Sequence, residues 1–460
     1  MALDVRRLED IGLTERECDA RAPSGSGGSD SEGAVIADTK PLTFYGWRVV
    51  SAAFVLAVFG WGMGFYGPPV FLSVLHETRG WPLTLLSTAV TVHFLTGAVI
   101  GANLPALYRR FCAPTVTKTG ALCLVAGVLG WSTAAAPWQL LVAGALSGAG
   151  WGAMSAAAIN SIVSPWFVRA RPAALGMAYN GGSIGGVIFS PPWVAAIGVL
   201  GFSNAAAAIG LVMALAMWLL ADLFFSRTPQ QMGLTPDGDV LGMPAISVTS
   251  RTVKPLPGRL LWRERKFLTL AAGMAFGLFA QIGLTAHLFS LLAPALGAQQ
   301  AGLAMGSVTV MTIVGRSLLG WAMPLRADRR VIACIGYTAQ LAGSVAFIGA
   351  AGTSLPLLLL GVVLFGAGFG NATSLPPLIA QIEFVKDDVP RVVALVVGIA
   401  QAAYAFAPAT FGLVREFALP AASAAVPAAP GVFVAAALAQ GLAICSFLIG
   451  RSRERDFQIR

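Results

Sequence analysis

Residues 89–105 read AVTVHFLTGAVIGANLP, and residues 307–324 read SVTVMTIVGRSLLGWAMP. Val90-Thr91-Val92 returns as Val308-Thr309-Val310 and Gly97 as Gly315, each 218 residues on; Pro105 returns as Pro324, one residue out of step. Farther along, GAGWG at 148–152 returns as GAGFG at 366–370, and Pro172 returns as Pro390. A parallel duplication running through most of an apolar chain marks a membrane protein built from two related halves.

The composition points the same way. Of 460 residues, 56% are apolar and 11% charged, with a mean hydropathy of +0.75. Soluble domains carry roughly 25% charged residues, so most of this surface faces something other than water. Twelve apolar stretches, each long enough to cross about 30 Å of hydrocarbon, fall near 46–70, 83–107, 116–136, 138–163, 172–197, 203–225, 267–293, 300–323, 330–351, 354–379, 391–414 and 429–449. They are apolar all round. A membrane β-barrel would alternate at period two, so the expected fold class is an all-α integral membrane protein. It has twelve transmembrane helices in two parallel-related halves of six.

Charge sets the expected orientation. Of 30 Lys and Arg, 23 lie in alternate connections on one side and only Arg79 and Arg415 on the other. The positive-inside rule then puts both termini in the cytoplasm, with the plasma (inner) membrane as the location. The net charge of +9 is thus a topology signal, and no basic and aromatic interleaving suggests nucleic acid. The five cysteines form no metal-ligand spacing and read as unpaired packing residues.

Residues 1–43 are polar and Gly/Ser-rich and read as a disordered cytoplasmic tail. The expected organisation continues with an N-terminal six-helix half (44–225), a proline-rich central cytoplasmic loop (226–266), a C-terminal six-helix half (267–450) and a short cytoplasmic tail (451–460).

These features resemble the major facilitator superfamily over about residues 44–450. Three motifs are similar to its monocarboxylate transporter and oxalate/formate exchanger branch: WFVRARPAALGMAYNGGSIGG at 166–186, RTPQQMGLTPDGD at 227–239 and GRSLLGWAMPLRADRR at 315–330. The resemblance implies alternating access by two halves. It also implies an acid-and-arginine gate between the second and third helices of each half. The second half keeps Asp328 and Arg329, whereas the first has Arg109 and Arg110 with no acid. Proton-coupled members of that branch carry a lysine in helix one and an aspartate four residues before the helix-eight arginine. Here Tyr66 lies near the first position and Thr312 fills the second.

Arg316 is the sharpest candidate. It lies ten residues before Arg326, roughly 15 Å along a helix and near the bilayer midplane. A guanidinium keeps its charge there and needs a partner, and no acid lies deep in any span. The natural counter-charge is a substrate carboxylate held by the guanidinium fork. Other candidate substrate-binding residues are His93, about ten residues into helix two, and His287, toward the outer end of helix seven. Phe65 and Tyr66 stand just before the helix-breaking Pro68 and Pro69. Tyr179 and Asn180 lie in helix five; Gln401 and Tyr404 share one face of helix eleven. Gly181, Gly185, Gly315 and Gly320, with Pro68 and Pro69, are candidates for close packing and conformational change.

The function expected is secondary transport of a small organic anion, with uniport, anion exchange and proton symport all open. The partners are the anion, a proton or counter-transported anion, and the lipid bilayer; one copy suffices. No cofactor is implied, and no GxxxxGK[ST] loop supports ATP-driven transport. The competing readings are an exporter of amphipathic compounds and a non-transporting membrane sensor. No Ser/His, paired-Asp or HExxH arrangement marks an intramembrane enzyme.

Overall fold

The backbone of a membrane-crossing segment has to satisfy its own polar groups, because hydrocarbon offers none. Among its described residues, 44–168, 170–238, 258–322, 328–385, 388–417 and 429–451, the computed structural model is helical without strands. The first half runs α1 (Tyr45–Gly64), α2 (Gly67–Arg79), α3 (Leu83–Thr133), α4 (Pro137–Ala153), α5 (Ala156–Val163), α6 (Arg171–Leu200) and α7 (Phe202–Leu220). The second runs α8 (Arg265–Leu296), α9 (Ala298–Ala322), α10 (Arg329–Ala350), α11 (Leu355–Phe369), α12 (Asn371–Glu383), α13 (Val389–Ala405), α14 (Ala407–Phe417) and α15 (Pro430–Ile449). The expected tails, 1–43 and most of 451–460, lie outside the described residues, as does 239–257 of the central loop.

Eleven helical stretches are long and apolar enough to cross a membrane. The expected crossing at 354–379 is the exception, because Gly370 divides it into α11 and α12. With that pair the alternation of twelve crossings is complete. The face that carries the start of α1 and the end of α15 is called basal below, and the opposite face distal. Large side chains such as Val199, Leu438 and Trp138 stand bare on the outside of the bundle, as a lipid-facing surface requires. The cysteines correct one expectation: Cys112, at the basal turn inside α3 where φ is +58°, is disulfide-bonded. Sequence spacing gives no sign of a pairing of this kind.

Prolines decide where the crossings break. Pro68 and Pro69 have no N–H to give to the carbonyls four residues earlier, and the first crossing divides into α1 and α2 at Phe65 and Tyr66. The amides of both residues turn back to Trp61 O, each at 2.9 Å. Gly64 O, which Pro68 leaves without its donor, is taken by His93 Nε2 at 2.8 Å.

Glycines decide how closely the crossings approach. A Cβ on Gly144, Gly148 or Gly152 would collide with the carbonyls of Ala89, His93 or Gly97, so α4 lies backbone to backbone on α3. In the second half Gly366 and Gly370 sit against Val308 O and Thr312 O, and Gly315 against Ala367 O. The repeated GAGxG motif is thus the same helix contact made once in each half. Gly181 and Gly185 pack in the same way on Phe54 O and Val58 O of α1. The surroundings of Gly320 lie outside the described residues.

The two basal corners are built differently. Asp328 caps α10 through the amides of Arg330 and Val331 and pairs with Arg451 at 2.5 Å, while Arg329 donates to Leu378 O at 2.7 Å. Arg330 is buried and meets Glu383 through both oxygens, at 2.6 and 2.8 Å, with further bonds to Thr269 Oγ1 and Lys266 O. The first half offers Arg109, Arg110, Phe111 and Cys112 near the equivalent of Arg330, and Pro165 stands 218 residues before Glu383. Arg109 is exposed and Arg110 stacks on Phe111 at 5.3 Å. That corner is held instead by Lys118, paired with Asp222 at 2.5 Å over the Trp218 ring. Asp237 adds to it by accepting from the amides of Val168 and Ala170.

Candidate functional site

The halves meet along α6 and α9 and across the distal ends of α2, α3, α8 and α14. Gly302 and Gly306 of α9 lie on Pro191 of α6, and lower down Thr309 meets Tyr66 over Gly186. Lower still, Arg316 Nη1 reaches Asn180 Oδ1 at 3.5 Å. One turn further toward the basal face, Gly176, on the Asn180 side of α6, is exposed and has no atom of the described residues within 4 Å of where a Cβ would stand.

At the distal end the gap is closed. Ser87 of α3 lies 3.3 Å from His287 Nε2 of α8, which also reaches Pro408 O at 3.0 Å. The Ala409 amide donates to Thr91, Thr84 donates to Glu416, and Phe94 stacks edge-on against Tyr404 at 5.9 Å. Beneath this seal is a small apolar cavity lined by Phe65, Pro69, Val90, Phe94, Ile282, Thr285 and Ala286.

Arg316 occupies the junction of these regions. Its Nε donates to Gly370 O at 3.2 Å, at the break between α11 and α12. Helix termini leave their last carbonyls without donors, and neighbouring side chains serve this one. Gln281 Nε2 reaches Phe369 O at 3.2 Å and Gln340 Nε2 reaches Gly368 O at 2.9 Å; Thr312 Oγ1 stands 3.2 Å from Gly366 O. A guanidinium has five N–H donors. Arg316 commits Nε to Gly370 and one Nη1 hydrogen to a long contact with Asn180. Among the described residues no carboxylate pairs with it, and Tyr66, bonded to Thr309, is the titratable group in its field.

Of the residues singled out in the sequence, Arg316, Asn180 and Tyr66 come together. Phe65 lies 5.0 Å from Tyr66 and 6.1 Å from Phe94, so it walls the cavity beneath the seal. Tyr404 joins that wall and bonds with Gln401. His93 does not face the space between the halves. Its Nε2 holds Gly64 O and its Nδ1 lies 2.8 Å from Ser147 Oγ, which also receives Trp131 Nε1 at 3.1 Å. Tyr179 turns back to Ala156 O at the break between α4 and α5. His287 belongs to the distal seal. Thr309, Gln281 and Gln340 were not legible as site residues, although Thr309 is seven residues from Arg316 and so on its helix face. Arg330, two residues after Asp328, carries no such signal in the sequence.

Comparison with known proteins agrees with this architecture. An uncharacterised MFS-type transporter, YcxA of Bacillus subtilis (strain 168), is 24% identical over 306 residues, 64% of this chain and 69% of its own. The crystal structure of the nucleoside transporter NupG superposes with a TM-score of 0.66 at 12% identity, covering 89% of this chain and 100% of that one. That of a D-xylose–proton symporter gives 0.68 at 14%, covering 88% and 97%. A bacterial homologue of the human lysosomal transporter Spinster, inward-facing and unoccupied, gives 0.60 at 15%, covering 89% and 95%. The Major Facilitator Superfamily model matches residues 54–412, and the chain belongs to that superfamily of multi-pass membrane transporters.

Proposed function

We propose that this transporter carries a small monocarboxylate-like organic anion by alternating access, with Arg316 holding the carboxylate. The observation that carries the reading is a mid-bundle guanidinium, partly buried, bonded to one carbonyl and one long amide contact and, among the described residues, to no acid. An arginine in that position is costly unless an anion joins it, and its free Nη donors suit a carboxylate fork. Asn180, Tyr66 and Thr309 supply the neutral polar groups around it. The three motifs shared with the monocarboxylate and oxalate/formate branch favour the same class. The basic connections favour a cytoplasmic basal face; on that reading the seal at the distal end closes the outward side.

The test is thermal stabilisation of the detergent-purified chain by acetate, lactate, pyruvate, oxalate and formate. Ligand bound to the native state adds about 2.7 kcal/mol at 100 times its dissociation constant. A carboxylate that raises the melting temperature of the wild type, with at least a tenfold weaker dose response in Arg316→Leu, supports the reading. Stabilisation by amphipathic compounds and by no carboxylate would transfer the protein to the exporter class.

A further inference from the structure

Arg415 is a second guanidinium in a crossing, and its direction is informative. It stands two residues from the distal end of α14, where an arginine ordinarily extends toward water. Here it turns inward onto α8: Nη1 donates to Ser290 Oγ at 2.5 Å, and Nη2 lies 3.5 Å from Ser290 O. Among the described residues no carboxylate pairs with it, and the adjacent Glu416 is engaged by Thr84. Three residues back on α8, and so on the same face, His287 is fully buried. Its Nε2 must carry a hydrogen to bond Pro408 O, because a carbonyl only accepts. Its Nδ1 is buried with no hydrogen-bond partner among the described residues.

We propose that Arg415, Ser290 and His287 form a second, distal site for a carboxylate, which takes up the anion together with one proton on His287 Nδ1. The proposal rests on the organic-anion reading above. A bare Nδ1 is an acceptor and holds no anion. Once protonated it becomes a donor on the helix face that His287 shares with Ser290, the residue Arg415 holds. In the closed seal that proton has neither acceptor nor counter-charge among the described residues. A carboxylate on Arg415 supplies both, so proton and anion favour each other's binding. The other charged groups near His287 do not replace the anion. Glu416 of α14 bonds Thr84, Glu77 of α2 bonds Ser73, and α3 presents only Ser87 and Thr91 at this level. The site lies at the distal ends of α8 and α14, so it loads the transporter from the distal side.

The experiment is proton uptake by the purified full chain, read with an indicator dye in weak buffer, on addition of acetate, lactate or oxalate. The wild type is expected to take up about one proton per anion bound at this site. Its apparent affinity should tighten by about tenfold per unit fall in pH above the site's titration. His287→Gln should lose this uptake, and Arg415→Gln should lose it although His287 remains, which loss of a packing role alone would not produce. A carboxylate that stabilises the wild type with no proton uptake between pH 5 and 8 overturns the distal site and leaves the Arg316 reading standing. Uptake unchanged in His287→Gln overturns it equally. If no carboxylate binds the wild type, both proposals fall. The wild-type measurement needs no variant, so a misfolded substitution does not remove the test.

Discussion

Gly64 loses its backbone donor to Pro68 and regains one from His93, whose other nitrogen is fixed by Ser147. Substituting His93→Ala leaves that carbonyl buried without a partner, a loss of about 1–3 kcal/mol. It should lower the melting temperature while carboxylate affinity, measured on the folded fraction, stays within about twofold of wild type. His93→Gln, which can donate to the same oxygen, should recover part of the stability. Unchanged stability in His93→Ala would remove the clasp assignment. In the sequence this histidine was legible as a buried polar group near mid-membrane, but not as a clasp, because its partner is a carbonyl freed 29 residues earlier in the chain. Arg316 was legible for the opposite reason: its charge has no sequence-local answer. Arg330 was not legible, since beside Asp328 and Arg329 it reads as one more basic residue at a helix end. Its burial with Glu383 is created by the return of α12. Breaking a buried pair by removing one partner costs about 3–5 kcal/mol. Glu383→Gln and Arg330→Gln should each destabilise by that order, and the double variant by clearly less than the sum. Additive losses in a thermal double-mutant cycle would show that the pair is not coupled.

At the scale of elements, the repeat made the crossings and their pairing readable, because GAGxG is the footprint of one helix backbone on another. Its breaks were only half readable. Pro68 and Pro69 announce the division of the first crossing, whereas the tenth divides at Gly370, six residues before Pro376, where Arg316, Gln281 and Gln340 receive its carbonyls. The glycines of the helix contacts also differ from one another in a way that spacing does not show. Gly181 faces Phe54 O at a distance no Cβ tolerates, whereas Gly398 in α13 has no atom within 4 Å of its Cβ position. Gly181→Val should therefore push α6 off α1 and cost about 1–3 kcal/mol, the usual cost of overpacking. Gly398→Ala should be neutral or stabilising by up to about 1 kcal/mol, since alanine loses less chain entropy in a helix. Paired melting curves decide this; equal effects of the two substitutions would mean that the α1–α6 contact is not close in the folded protein.

Across the whole molecule, the distal seal and the exposed basal stretch of α6 lie on opposite sides of Arg316. The distal ends are joined by Ser87 with His287, Thr91 with Ala409 and Thr84 with Glu416. Basal to the Arg316–Asn180 contact, the same face of α6 meets no atom of the described residues within 4 Å of the Gly176 Cβ position. Both halves are internally stiff through their glycine contacts, so opening the seal without closing the basal end would leave α6 and α9 bridging an empty bundle. In the proposed cycle a rigid rocking motion about that pair would exchange one opening for the other. Membrane-impermeant thiol reagents can read both ends in oriented vesicles of a background with its reactive native cysteines replaced. Gly176→Cys should react from the basal side without ligand. Val90→Cys, buried in the cavity beneath the seal, should resist labelling from the distal side. A carboxylate that favours the distal-open state can shift the populations only by its difference in affinity for the two states. A preference of about a hundredfold is therefore enough to slow Gly176→Cys and speed Val90→Cys together. Reciprocal changes at the two positions are the expected outcome. Faster labelling at both would describe a channel-like opening of the whole bundle and would rule out alternating access about the Arg316 level.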